Sequence, residues 1–124
     1  EQGVDFVIKC LELSQGGELF VPKIPSMKIV ELAKAIAPKC KHEIIGVRPG
    51  EKIHEVLISN SDSAHTIEYG TYYVICPEFK WWKTTSNHLK NGNPVSNGFI
   101  YSSDKNDKWL KKSDIKSIMK NLEL

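Results

Sequence analysis

Residues 43–58 read E-I-I-G-V-R-P-G-E-K-I-H-E-V-L-I, and the rest of the chain is organised around this stretch. The residues before the arginine are apolar and largely β-branched, which predicts a strand. The residues after the lysine place apolar side chains at helical spacing, which predicts a short helix over 53–58. Pro49 suits a first helical turn because proline has no N–H to leave unpaired. The R-P-G-E-K run is therefore predicted to lie where a strand passes into a helix.

Arg48 is the only arginine among the 17 lysine and arginine residues of the chain. Its guanidinium group can bind two phosphate oxygens at once. The free N–H groups of a first helical turn also favour an anion, and Gly50 would let a ligand approach the backbone closely. A salt bridge or a helix-capping contact would explain the same arginine equally well. Residue chemistry alone leaves phosphate binding and a structural role open.

Glu51 lies three residues after Arg48, a spacing that places the two side chains close together at a helix start. A carboxylate in this position could act as a general acid or base. It could equally serve as a first-turn acid that favours the helix dipole. His54, one helical turn beyond Gly50, is a candidate for a minor substrate contact.

Three stretches carry a resemblance to a known family, and they read E-L-F-V-P-K-I-P-S-M-K-I at 18–29, R-P-G-E-K-I-H-E at 48–55 and Y-S-S-D at 101–104. Asn106 and Trp109 follow the third stretch and fit the same pattern. Together they resemble the C-terminal part of the inverting UDP-N-acetylglucosamine 4,6-dehydratases. These enzymes are extended short-chain dehydrogenase/reductase proteins of the polysaccharide biosynthesis protein family.

The resemblance implies an α/β fold in which this chain is the α+β, C-terminal, substrate-binding half. The Rossmann half, which would bind NADP and carry the Tyr/Lys chemistry, is absent here. Arg48 and Glu51 match family positions that contact the nucleotide sugar. Arg48 would hold the diphosphate, and Glu51 would face ribose or sugar hydroxyls, since phosphates would repel a carboxylate. No residue of this chain is assigned a catalytic, cofactor-binding or metal-binding role.

The parent enzyme implied by the resemblance removes water across C4, C5 and C6 of UDP-N-acetylglucosamine and inverts C5. It would be a cytoplasmic homo-oligomer of surface-polysaccharide or flagellin-sugar synthesis, and this part is predicted to be inactive alone. Two alternatives stay open at this point. One is a UDP-sugar 4-epimerase built on the same scaffold, and the other is a binding or interaction module without chemistry.

The resemblance divides the chain into a substrate-binding core at 1–79, a variable loop at 80–97 and a tail with a final helix at 98–124. The loop contains K-W-W-K at 80–83. Aromatic residues between lysines can stack on bases or lie at a membrane interface. Loop packing or a subunit contact is the favoured interpretation, because only two lysines flank the pair.

Apolar periodicity predicts a helix from Val4 to Leu13 that ends at Gly16-Gly17. Its main apolar stripe is Val4, Val7, Ile8 and Leu11, and a second stripe is Phe6, Cys10 and Leu13. Such a helix is expected to be covered on most sides. A chain that begins in this way, without an initial methionine, is expected to be a cut fragment.

Further elements are predicted along the chain. Ser26 is expected to cap a helix whose inner face is Ile29, Leu32, Ala33 and Ile36. Residues 18–21, 66–69 and 71–75 are expected to be strands, residues 60–65 a loop, and a last helix is expected to begin near Ser113.

Several motifs are rejected. Residues 101–105 match the Y-x-x-x-K pattern of short-chain dehydrogenases, but S-S-D in the middle favours a turn over a helix. No Gly-rich dinucleotide loop occurs, so no NADP site is expected in this chain. His54-Glu55 lacks the second histidine of H-E-x-x-H, and His42, His54, His65 and His88 are expected in surface or loop positions without a metal.

The composition of the chain argues against several classes of partner and location. A net charge of +2 is too small to indicate nucleic acid or an acidic membrane as the partner. No apolar run approaches the roughly 20 residues of a membrane span, and no signal peptide is recognisable. The three cysteines, Cys10, Cys40 and Cys76, are odd in number and widely spaced, which indicates reduced thiols and a cytoplasmic location.

Overall fold

A computed structural model describes residues 2–79 and 88–121. The helices are α1 (Gln2–Leu13), α2 (Ile29–Ile36), α3 (His88–Asn91) and α4 (Lys112–Asn121), with a 3-10 helix at Ser61–His65. The strands are β1 (Leu19–Pro22), β2 (Val56–Ile58), β3 (Thr66–Glu68), β4 (Tyr72–Ile75), β5 (Asn93–Pro94) and β6 (Tyr101–Ser102). The chain mixes α and β, as predicted.

Contacts divide the chain into two units, each made of two separate stretches. The first unit is Glu1–Lys23 with Val56–Tyr101, and the second is Ile24–Glu55 with Ser102–Leu124. The division into 1–79, 80–97 and 98–124 stays a prediction, and residues 80–87 of its loop, including K-W-W-K, lie outside the described residues.

The first unit is built on a four-stranded antiparallel sheet in the order β1-β4-β3-β5. Strands β3 and β4 form a hairpin closed by the hydrogen bond that Tyr69 N–H donates to the Tyr72 carbonyl. The predicted strands at 18–21, 66–69 and 71–75 are thus confirmed. The core consists of buried Ile58, Tyr73 and Tyr101, against which Val21, Ile75, Val95 and Phe99 pack. A separate pair of strands joins β2 to β6.

Helix α1 is confirmed, but the stripe that faces the sheet is not the one with the best helical spacing. Val4 and Leu11 of the main stripe are 62% and 74% exposed. Phe6 and Cys10 of the second stripe are half-buried, and the Phe6 ring meets Tyr72 edge-on at 6.0 Å. This aromatic contact favours the second stripe. No residue of α1 is buried, so the expected cover on most sides is not found in the described chain.

The second unit holds α2 and α4 around a cavity of about 520 Å³. It is lined by Met27, Leu32, Ile36, Leu110, Ile115, Ile118 and Met119. Helix α4 confirms the predicted last helix, and its Ile115 is almost fully buried. Ser26 does not cap α2, because that helix begins at Ile29 with Lys28 as its first flanking residue and without a side-chain cap.

Two central predictions are wrong. Residues 43–47 form no strand, and residues 53–58 form no helix, since residues 53–55 are irregular and Val56–Ile58 are β2. Gly46 has a φ of 80°, which breaks an extended run, and Ile44 is 95% exposed. The apolar pattern predicted packing that the described residues do not supply, so the segment stays irregular.

No helix among residues 2–79 and 88–121 is long and apolar enough to cross a membrane.

Candidate functional site

Residues 48–51, called here the arginine turn, form a tight turn with Pro49 and Gly50 in the middle. Gly50 has a φ of 87°, and proline followed by glycine with positive φ is typical of a type II turn. Glu51 N–H donates to the Arg48 carbonyl at 3.0 Å. The Glu51 carboxylate in turn accepts the Arg48 backbone N–H at 3.0 Å. No helix follows, so the predicted helix start is wrong, and the Glu51 carboxylate closes the turn instead. Ligand binding by Arg48 and Glu51 stays a prediction.

The Arg48 guanidinium is exposed and takes part in none of the ion pairs found among the described residues. The described part of the chain therefore offers no salt bridge to this side chain. A salt bridge was one of the two structural roles that the sequence left open. An exposed fork without a carboxylate partner keeps its donors available for an anionic ligand.

Within the second unit, the end of the stretch 48–55 forms hydrogen bonds with the stretch 101–104. Glu55 N–H donates to the Ser103 hydroxyl oxygen at 3.0 Å, and Ser103 N–H donates to the Glu55 carbonyl at 2.9 Å. Half-exposed His54 places Nε2 3.8 Å from the Asp104 carboxylate. Both stretches stand out in the sequence, but no local pattern indicates that they touch.

Asp104 is itself held in place by a hydrogen bond from the buried Ser102 hydroxyl, at 2.6 Å. This hydrogen bond is the main reason that the pKa of Asp104 lies below its ordinary value, with a smaller contribution from the nearby His54. The carboxylate next to His54 is therefore ionised at neutral pH.

Hydrogen bonds also connect the segment before α2 with the segment after β6, which contains Asn106 and Trp109. The Asn106 amide donates to the Ile24 carbonyl at 2.7 Å and to the Ser26 hydroxyl oxygen at 3.1 Å. Trp109 Nε1 donates to the Asn106 carbonyl at 2.6 Å. Ser26 N–H donates to the Lys108 carbonyl, and Leu110 N–H donates to the Ser26 carbonyl, so this buried serine connects the two segments.

The rejection of the Y-x-x-x-K match is confirmed. Tyr101 is a buried residue of β6, and the residues after it form a turn in which Lys105 N–H donates to the Ser102 carbonyl. The tyrosine and lysine therefore do not share a helical face.

A second polar group, which sequence reasoning missed, lies in the first unit and is called here the buried triad: Glu18, Tyr69 and His88. His88 Nε2 lies 3.2 Å from Glu18 Oε1, and its Nδ1 lies 3.1 Å from the Tyr69 hydroxyl. The Glu18 side chain is fully buried and that of His88 nearly so. The expected surface or loop position of His88 is thus wrong. The three residues are far apart in sequence, so no local pattern could have joined them.

Electrostatics around the buried triad follow from burial and hydrogen bonding. Burial alone would raise the pKa of Glu18, but hydrogen bonds from its own backbone, Gln15, His88 and Gly16 together bring it below its ordinary value. Burial raises the pKa of Cys76, and the charge of Glu18 adds to that rise. A cavity of about 440 Å³ borders Tyr69, Tyr72 and His88.

The described residues show neither a metal-binding cluster nor the elements of a Rossmann dinucleotide site. They contain no cluster of three histidine, cysteine or acidic side chains able to hold a metal ion. The four-stranded sheet is antiparallel, whereas a nicotinamide cofactor of the Rossmann type needs a parallel strand, a Gly-rich loop and a helix. Cys10, Cys40 and Cys76 are free thiols.

Comparison with known proteins gives the following matches. Residues 1–77 match the family model described as polysaccharide biosynthesis protein. An inverting UDP-N-acetylglucosamine 4,6-dehydratase of Campylobacter jejuni is 45% identical over 128 residues, covering 99% of this chain and 38% of the enzyme. A UDP-glucose 4-epimerase of Rickettsia bellii is 31% identical over 124 residues, covering 97% of this chain and 36% of that protein. The chain thus spans less than two-fifths of these relatives.

The solved structure of Pen from Bacillus thuringiensis shares the fold. Its TM-score is 0.76 at 22% sequence identity, and the match covers 98% of this chain and 36% of that one.

Proposed function

The chain belongs to the polysaccharide biosynthesis protein family, and we propose that it is the nucleotide-sugar-binding part of an inverting UDP-N-acetylglucosamine 4,6-dehydratase. The proposal is supported by the 45% identity to the Campylobacter enzyme along nearly the whole chain. It is also supported by an exposed arginine fork beside a tight turn that a diphosphate could approach.

In this proposal Arg48 binds the diphosphate of UDP. Its two parallel N–H donors match two phosphate oxygens, and such charge-assisted hydrogen bonds are stronger than neutral ones. The absence of an ion-pair partner among the described residues is the single observation that carries this assignment. Arg48 would then require no exchange of partners when UDP arrives.

Glu51 has a double role in the proposal. One carboxylate oxygen accepts the Arg48 backbone N–H and so fixes the arginine turn. The remaining lone pairs can accept hydrogen bonds from a ribose or sugar hydroxyl. The carboxylate would be repelled by the phosphates themselves, so the sugar side of the ligand is its natural target.

The rest of the enzyme would supply the chemistry. A Rossmann half outside this chain would bind NADP, which accepts and returns a hydride within one cycle. The residues of this chain would bind and orient the substrate and would not exchange protons with it. A cytoplasmic homo-oligomer of surface-polysaccharide or flagellin-sugar biosynthesis belongs to the same proposal.

A UDP-sugar 4-epimerase is the second candidate, supported by the Rickettsia relative, which is similar over nearly the whole chain. Both enzymes would use Arg48 in the same way, so binding of UDP does not separate them. Their products do: a dehydratase yields a 4-keto-6-deoxy sugar from UDP-N-acetylglucosamine, and an epimerase yields the C4 epimer of its substrate. A non-catalytic binding module would yield neither.

The proposal is tested with the complete gene product, including any residues beyond these 124. The protein is incubated with UDP-N-acetylglucosamine and NADP, and the products are separated by mass and by NMR. A 4-keto-6-deoxy product supports the dehydratase, and the C4 epimer supports the alternative. Unchanged substrate together with a failure to bind UDP would contradict both.

A further inference from the structure

Few contacts with the other described residues fix the arginine turn. It closes on itself through the two hydrogen bonds between Arg48 and Glu51, and those bonds tie it to nothing else. Residues 38–55 form no helix or strand that could hold it through a ladder of backbone bonds. Four residues after Glu51, however, Glu55 is bonded to Ser103 in both directions, at 3.0 Å and 2.9 Å. Within residues 2–79 and 88–121, this double contact is the first pair of hydrogen bonds after the turn that connects it to another segment.

We propose that Ser103 is a positioning residue for Arg48. Its hydroxyl oxygen and its N–H hold both backbone groups of Glu55 and thereby fix where the arginine turn can point. Ser103 does not touch the ligand and acts through Glu55. This inference rests on the proposed function, since it assumes that Arg48 binds the diphosphate of UDP.

The neighbouring residues strengthen the anchor. Asp104 is oriented by the Ser102 hydroxyl and places its other carboxylate oxygen 3.8 Å from His54 Nε2. Residues 54 and 55 are therefore both engaged by the stretch that follows β6. Because the Ser102 hydroxyl is itself buried, that stretch offers a more rigid support than an exposed loop.

Ser103 is well suited to a clean test, because its alanine variant deletes one hydrogen-bond acceptor and leaves the second backbone bond in place. We expect Ser103→Ala to raise the dissociation constant for UDP about three- to tenfold, the size of one ordinary hydrogen bond. Ser103→Thr keeps the hydroxyl and should restore binding. Ser113→Ala is the matched control, because it removes an exposed hydroxyl of the same unit that donates to the adjacent Asp114.

The measurement is calorimetric titration of the complete gene product with UDP, together with amide hydrogen exchange in its absence. Faster exchange of the Glu51 and Glu55 amides in Ser103→Ala, weaker UDP binding, rescue by Ser103→Thr and a silent Ser113→Ala would support the positioning role. Unchanged UDP affinity in Ser103→Ala, or a Ser103→Thr variant as weak as Ser103→Ala, would overturn it.

UDP binding by the unaltered protein and by the two alanine variants separates the positioning role of Ser103 from the proposed function. If Arg48→Ala loses UDP while Ser103→Ala binds normally, Arg48 keeps its role and Ser103 has no part in it. If the unaltered protein does not bind UDP at all, the proposed function is wrong and the positioning role falls with it.

Discussion

The arginine turn and the buried triad are the two conspicuous polar groups of the molecule, and they are satisfied in opposite ways. In the turn, the side chain of Arg48 is exposed and has no ion-pair partner among the described residues. In the triad, Glu18 is fully buried and accepts hydrogen bonds from Gln15 and His88. A polar side chain whose bonding is complete inside the protein stabilises the fold, whereas one whose donors remain free can bind something else.

This contrast yields a clean separation of effects. Changes in the Arg48 side chain should alter ligand affinity and leave folding nearly untouched. Changes in the triad should alter folding and leave ligand affinity nearly untouched.

The largest effect is expected for Arg48→Ala, which should weaken UDP binding by about 1.5–3 kcal/mol, the scale of hydrogen bonds to a charged group. Arg48→Lys keeps the charge but loses the planar fork, so it should also bind UDP more weakly than the parent. Calorimetric titration of the complete gene product measures both, and Lys41→Ala, an exposed lysine of the same irregular segment, is the control. An Arg48→Ala protein that is folded and binds UDP like the parent would show that the arginine is not the diphosphate ligand.

The next effect concerns the triad. Glu18→Gln keeps the shape of the side chain but replaces a charged acceptor, so we expect the free energy of unfolding to fall by about 1–2 kcal/mol. Denaturant unfolding measures this change, and Asp5→Asn, which changes an exposed carboxylate of α1, is the control. If Glu18→Gln weakened UDP binding without destabilising the fold, the separation between the two regions would be wrong.

The same carboxylate gives a pH dependence with a definite sign. The folded-state pKa of Glu18 lies below its ordinary value, because the hydrogen bonds that it accepts outweigh its burial. Its contribution to stability is therefore fully present above the unfolded-state pKa and is lost as the pH falls through the folded-state pKa. Unfolding curves between neutral and acidic pH should show a smaller loss in Glu18→Gln than in the parent. Equal losses in the two proteins would assign the acid sensitivity to other groups.

How far the sequence could predict this structure depended on whether each pattern was local. The hairpin of β3 and β4 follows from β-branched and aromatic residues around Gly70, and α4 follows from its apolar spacing. Residues 43–47 carried an equally clear strand pattern, but the described chain offers no strand beside them. A strand pattern specifies which side chains could be buried, and only a neighbouring strand makes it a strand.

The sites divide in the same way. The arginine turn was found from the sequence because its residues are contiguous, although the helix predicted to follow it does not form. The triad and the bond between Glu55 and Ser103 were not found, since both join residues that are distant in the chain. In α1, two apolar stripes were visible, and only the contact of Phe6 with Tyr72 decided which one faces inward.

The smallest expected effect tests whether the shape of the arginine turn matters apart from its charge. Gly50 has a φ of 87° and open space around the position of a Cβ atom, so an alanine there meets no neighbour but is strained in its backbone. We expect Gly50→Ala to cost about 1 kcal/mol, from the penalty of left-handed backbone for a residue with a Cβ. The turn can relieve that strain by opening, which would displace Arg48 and weaken UDP binding a few-fold. Gly70→Ala, in the hairpin of the other unit and also in open space, should leave UDP binding unchanged because its φ is not in the left-handed region. If both variants bind UDP like the parent, Arg48 reaches the diphosphate from any turn geometry, and only its charge and fork matter.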